Sequence, residues 1–168
     1  MPAELDEVRA LRGPAEGFLC RLQDNVYQLQ FLEFRLSDPH TSETLFQLEN
    51  AQVSDEEAVF ADADLPAELQ REIDAARRIA YTFPRALLDK EAVASFVRFR
   101  VGPRAVRRLL LLERHFLGAE LLKEFEFEFP FCAPHSTNTW EFVYALPRLS
   151  AAQRAAALAR GFGVWGLG

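Results

Sequence analysis

At 168 residues, the chain has the size of a single domain with room for a real core. Its 19 Lys and Arg are dispersed and outnumbered by 25 Asp and Glu, giving a net charge of −6 and excluding the concentrated cationic surface that nucleic acid requires. Fifteen Phe is a high share for this length, and such aromatic content builds small β-sandwiches and apolar pockets.

Residues 1 to 17 are polar, begin acidic and are broken by Gly13-Pro14 and Gly17, which predicts a flexible lead-in with the folded domain spanning 18–160. From Asn25 to Leu36 apolar residues alternate first as Tyr27, Leu29 and Phe31, then as Leu32, Phe34 and Leu36. The phase slip at Phe31-Leu32 predicts a β-bulge or a strand that changes its buried face. Asp38 to Ser42 is turn chemistry, and Thr44 to Leu48 reads as the returning strand of a hairpin. Glu49 to Asp64 is acidic with little periodicity, a solvated loop. A short helix is predicted near 67–77 from the Leu69/Ile73 spacing, then a strand carrying Ile79, Tyr81 and Phe83. Ala92 to Val101 is a further strand, closed by Gly102-Pro103.

Arg104 to Lys123 satisfies two patterns. Val106, Leu109, Leu110, Leu112, Phe116, Leu117 and Leu121 form a helical stripe, and propensity leans that way. The alternative is a strand ending at Gly118, with Leu109, Leu111, Glu113 and His115 on one face. From Glu124 to Phe129 acid and aromatic alternate without a miss, so Phe125, Phe127 and Phe129 face a core and the three glutamates face water. Thr139 to Leu146 resumes as a strand. Ser150-Ala-Ala-Gln153 is a capping box opening a helix near 150–160, and the Gly-rich residues 161–168 read as a disordered tail.

There is no GxSxG, P-loop, GxGxxG or HExxH, so an enzyme is not expected, and neither is a cofactor or metal site. Cys20 and Cys132 lack CxxC or Cys/His spacing, and the N-terminus lacks an apolar signal segment. Both point to a reducing cytoplasmic setting. If the 109–117 stretch is a strand, Glu113 and His115 point the same way, and a carboxylate there must be paired. It is either in a surface ion pair with Arg114 or a neighbour, or a polar anchor at the rim of an apolar pocket.

The run Phe125-Glu-Phe-Glu-Phe-Pro-Phe-Cys-Ala-Pro-His-Ser-Thr-Asn-Thr-Trp-Glu141, preceded by Glu113-Arg-His-Phe116 and Leu121-Leu-Lys123, resembles the lipid-binding chaperones of the phosphodiesterase delta-subunit and Unc family. Phe18-Leu-Cys20, Asn25-Val-Tyr27, Phe31-Leu-Glu-Phe34 and Tyr144-Ala-Leu-Pro-Arg-Leu-Ser150 fit the Unc branch. The resemblance implies an all-β, immunoglobulin-like sandwich with an internal lipid cavity, and makes Arg107 to Leu117 a strand. It implies a carrier that binds the acylated N-terminus of myristoylated proteins, moves them between membranes and releases them when a GTP-loaded Arf-like small GTPase binds. The cargo implied is G-protein alpha subunits, Src-type kinases or ciliary proteins, with membranes touched only through cargo. Ciliary or synaptic localisation follows by the same likeness. By matched position, Tyr81, Glu113 and His115 lie near the first amides of the lipidated peptide. Phe34, Leu36, Leu87, Phe125, Tyr144 and Leu146 line the acyl cavity. Leu87 and Leu146 replace phenylalanines common in the family, which implies a wider cavity, and Pro130 replaces a glycine. Family members continue after the last helix with two more strands, so the resemblance implies a sandwich lacking them. The competing expectation is an interaction-only sandwich, or a defective isoform, with a collapsed pocket.

Overall fold

A computed structural model of the chain describes residues 5–15, 17–49, 66–69, 71–72, 80–82, 84–160 and 163–165. Strands dominate. β1 (Gln30–Ser37), β2 (Thr44–Glu49), β4 (Ala92–Arg100) and β7 (Thr137–Ala145) form one antiparallel sheet in the order β2-β1-β4-β7. β5 (Leu109–Leu117) and β6 (Glu120–Phe129) form a second, and β3 (Ala80–Thr82) pairs with β8 (Gly163–Trp165).

The predicted slip in the first strand is a register shift between Phe31 and Glu33 against β4, which lets β1 bury Phe31 near one end of the core and Phe34 and Leu36 further along. The strand starts later than expected, because Asn25 closes a turn by bonding both the amide and the carbonyl of Leu29. At the β1–β2 turn, the Asp38 carboxylate accepts from the amides of His40 and Thr41 and from Lys90 Nζ at 2.6 Å. Those donors, the Lys90 ammonium foremost, hold Asp38 well below the usual carboxylate range.

The 109–117 stretch is a strand, against its helical propensity and as the resemblance implied. Its Leu-rich run gains a partner strand two residues away, because Gly118 takes φ 62° and turns the chain directly into β6. Tertiary pairing overrides the intrinsic preference there. Pro130 lies just past the last residue of β6, where its missing N–H costs no ladder bond.

Two buried clusters fill the space between the sheets. Leu36, Leu87, Val93 and Tyr144 form one, with Phe34, Phe125, Phe127, Phe142 and Leu146 packed against it. Val97, Phe99, Val101, Val106 and Cys132 form the other, joined by Phe31, Leu109, Phe129 and Trp140. Burial pushes the Cys132 thiol up, so it packs as a small apolar group.

The capping box is realised at α2 (Ala151–Arg160). Gln153 N–H donates to Ser150 Oγ at 3.2 Å, and Ser150 N–H donates to Gln153 Oε1 at 2.9 Å. Arg154 then ties the helix to the Leu88 carbonyl and to Asp89.

Both ends of the chain carry elements that the sequence reading did not anticipate. The opening segment carries a short helix, α1 (Leu5–Ala10), acidic in its first turn and basic in its last, and it is bonded to β6 through Arg9. The tail assigned to disorder supplies β8, where Val164 and Trp165 bring β-forming residues into a Gly-rich stretch. One strand therefore does follow the last helix. Helical residues occur at 67–69 and 71–72, while the rest of the helix predicted near 67–77 and most of the acidic loop lie outside the described residues.

Candidate functional site

Alternation along β5 decides which side chains enter the sandwich. Leu109, Leu111, Glu113 and His115 stand opposite Phe129, Phe127, Phe125 and Lys123 of β6, so two polar residues share a face with three phenylalanines. Glu113 does not pair with its neighbour Arg114. That arginine faces the other way and pairs with Glu124.

The Glu113 carboxylate is met from its own strand and from the opposite sheet. Tyr144 of β7 donates its hydroxyl to Glu113 Oε1 at 2.6 Å, and His115 Nε2 lies 2.6 Å from the same oxygen. Tyr144 and His115 therefore converge on one carboxylate oxygen, and the imidazole turns its other nitrogen, Nδ1, away from it. That Nδ1 is buried without a hydrogen-bond partner. Among the described residues nothing donates to Glu113 Oε2 either. An accepting carboxylate oxygen beside an aromatic lining suits a ligand that brings N–H donors.

Around this polar point the lining is aromatic. The His115 ring stands edge-on to Phe125 and Tyr144 at 5.5 and 5.6 Å, and Phe125 lies 4.5 Å from Tyr144. Behind them Phe127 meets Phe142 at 4.0 Å, and Trp140 stands edge-on to Phe142 at 5.4 Å. Lys123, the cross-strand partner of His115, holds its ammonium 4.9 Å over the Phe125 ring and donates to the Ala145 carbonyl at 2.7 Å. It thereby ties β6 to the end of β7. Beyond it opens a groove of about 520 Å³ lined by the start of β6, the segment Ala145 to Arg148, and Gln153.

The residues implied by the resemblance come together in large part. Leu36, Leu87 and Tyr144 are buried in one cluster, and Phe34, Phe125 and Leu146 pack against it. Glu113 and His115 bond at its edge, and Leu146 also lines the groove. The backbone of Tyr81 lies in β3, while its side chain lies outside the described residues. Lys123, Phe127 and Phe142 join the site beyond those positions. The period-two pattern that turns Phe125 and Tyr144 inward is the signal that finds the two phenylalanines. The same spacing puts Lys123 on the face of Phe125, and its register with His115 brings it to the site.

No metal-binding cluster and no helix long and apolar enough to cross a membrane occur among the described residues. The model of a protein family described as GMP-PDE, delta subunit, matches residues 23–165. Relatives include protein unc-119 homolog B of Danio rerio, 36% identical over 147 residues covering 86% of this chain and 57% of that one. Protein unc-119 of Caenorhabditis elegans is 36% identical over 145 residues, 86% of this chain and 62% of its own. Protein unc-119 homolog B of Homo sapiens is 35% identical over 145 residues, with 86% and 56% covered. The chain thus spans less than two thirds of the length of these relatives.

Proposed function

The chain belongs to the GMP-PDE delta-subunit family, and from that premise we propose that it is a non-catalytic lipid-binding carrier for myristoylated protein N-termini, emptied by an Arf-like GTPase in its GTP form. The observation that carries this reading is the Glu113 carboxylate, set at the edge of an aromatic interior with one oxygen that no donor among the described residues meets.

Chemistry favours an acylated N-terminus there. The myristoyl amide and the first peptide amides bring N–H donors to the Glu113 carboxylate, while the alkyl chain enters the apolar cluster of Phe34, Leu36, Leu87, Phe125, Tyr144 and Leu146. By matched position Tyr81 is assigned to the same peptide-binding group in this reading. At about 0.8 kcal/mol per buried methylene, a fourteen-carbon chain carries roughly 10 kcal/mol of gross burial, yet alone it holds a protein to a bilayer only weakly. A dry protein interior with oriented acceptors can therefore compete with the membrane. A prenylated C-terminus offers a carboxyl end in place of those donors and is disfavoured beside Glu113.

The test is extraction. Vesicles loaded with a myristoylated protein are incubated with the chain and sedimented. The carrier reading predicts cargo in the supernatant, returned to the vesicles by a GTP-loaded Arf-like GTPase and not by its GDP form. Cargo that stays with the vesicles would count against it. The 4.0 Å contact of Phe127 with Phe142 favours a second reading, an interaction-only sandwich filled by its own rings. That reading predicts GTPase binding without extraction.

A further inference from the structure

The outer face of the β5–β6 hairpin carries a feature that the lipid-site reading does not use. Arg114, Glu124 and Glu126 point away from the aromatic interior, and the segment Leu5 to Gly13 lies across them. Arg9 donates to Glu126 Oε2 at 2.6 and 3.3 Å. Arg114 donates to the Arg9 carbonyl at 3.0 Å and to the Leu11 carbonyl at 3.2 Å while it pairs with Glu124. A Cβ on Gly13 would stand 3.9 Å from the Ala119 carbonyl in the hairpin turn. Residues 9, 11 and 13 thus track along the hairpin toward its tip.

Arg114 is the centre of this arrangement. Its side chain is only 10% exposed, unusual for an arginine on an outer face, and its donors are taken up by two backbone carbonyls and a carboxylate. Backbone carbonyls of a segment distant in sequence are contacts that a surface ion pair does not make. They fix where that segment runs.

We propose that residues 5–13 are a strap that clamps the outside of the β5–β6 hairpin through Arg114 and Arg9, with Arg114 acting as a positioning residue for Glu113 and His115 on the inside. The link is the backbone. Arg114 sits between the two inner residues, so a guanidinium held outside fixes the strand that aims both polar groups inward. The hairpin needs such support at that point, because its register shifts between His115 and Phe116. A clamped strap keeps Glu113 and His115 in place. A released strap lets the wall open, which is a means of loosening ligand from outside the hairpin.

The consequence for ligand affinity rests on the acyl-binding reading, whereas the clamp itself does not. Amide hydrogen exchange is read over residues 5–15 and 109–129 in wild type, Arg9→Glu, Glu126→Arg, the combined swap and Arg114→Gln, alongside titration of a fluorescent myristoylated peptide. In wild type, residues 5–15 exchange more slowly than an unstructured chain. Arg9→Glu or Arg114→Gln removes that protection, speeds exchange in β5 and β6 by about threefold to tenfold and weakens peptide binding by a similar factor. The swap restores all three, a rescue that a merely destabilised hairpin would not give. Residues 5–15 exchanging at unstructured rates in wild type, or release of the strap with no change in β5 and β6, would overturn the proposal. If wild type binds no acylated peptide, the lipid reading fails while hairpin exchange still decides the clamp.

Discussion

Tyr144 and Glu113 stand on opposite sheets, and the tyrosine hydroxyl reaches the carboxylate at 2.6 Å across an aromatic interior. One bond therefore ties the two layers at the candidate site. Replacing Tyr144 with Phe keeps the ring contacts to Phe125 and His115 and removes only the donor. A carboxylate losing one of two partners costs about 1–3 kcal/mol when fully buried. Glu113 is 24% exposed, which places the expected loss near the lower end of that range. Urea denaturation of wild type and Tyr144→Phe measures it, and a change near zero would show that the bond does not hold the layers.

Asp38 gives a pH prediction with a definite sign. Lys90 and two amides depress its carboxyl in the folded chain, so its ionised form stabilises the fold above the unfolded-state pKa of about 3.9. That contribution is lost as pH falls toward the lower folded value. The urea midpoint of Asp38→Asn should therefore lie below that of wild type at neutral pH. The gap should narrow below about pH 4. A gap independent of pH would assign the loss to the turn geometry alone.

The Ser150 cap offers a cleaner local test. Ser150→Ala removes the acceptor for the Gln153 amide and should cost about 1 kcal/mol, with Gln153→Ala costing less because the hydroxyl still caps. Thermal unfolding of the two variants ranks them, and equal losses would contradict the reciprocal arrangement.

Phe99 is fully buried between the sheets, 5.5 Å from Phe129 in an edge-on contact. Its truncation to Ala should cost about 3–5 kcal/mol, a loss shared between lost burial and the void left behind. Chemical denaturation gives the value directly, and a loss under about 1 kcal/mol would mean that the neighbouring rings close the gap.

Much of the site was legible in the sequence because strands announce their faces. The Phe/Glu alternation placed Phe125, Phe127 and Phe129 together, and the structure seats them over Trp140, Phe142 and Tyr144. The capping box and the bulge near Phe31 were readable for the same reason, since both are local. The β5 strand was not, because its leucines suit a helix equally well and only the pairing with β6 decides between them. The outer glutamates were read as a plain solvated face. Glu124, Glu126 and Glu128 are exposed as that reading has it, and they also meet Arg114, Arg9 and Arg108, contacts that span up to 117 residues and leave no local pattern.

The most direct test of the account is a binding titration at the Glu113 acceptor. A fluorescent myristoylated peptide and the same peptide without the acyl group are titrated against wild type, Glu113→Gln and Phe125→Ala. The account predicts micromolar or tighter binding of the acylated peptide alone to wild type, weakened about tenfold or more in both variants, since each removes a hydrogen-bonded charge or a buried ring. Absence of binding to wild type, or equal binding with and without the acyl chain, would contradict it.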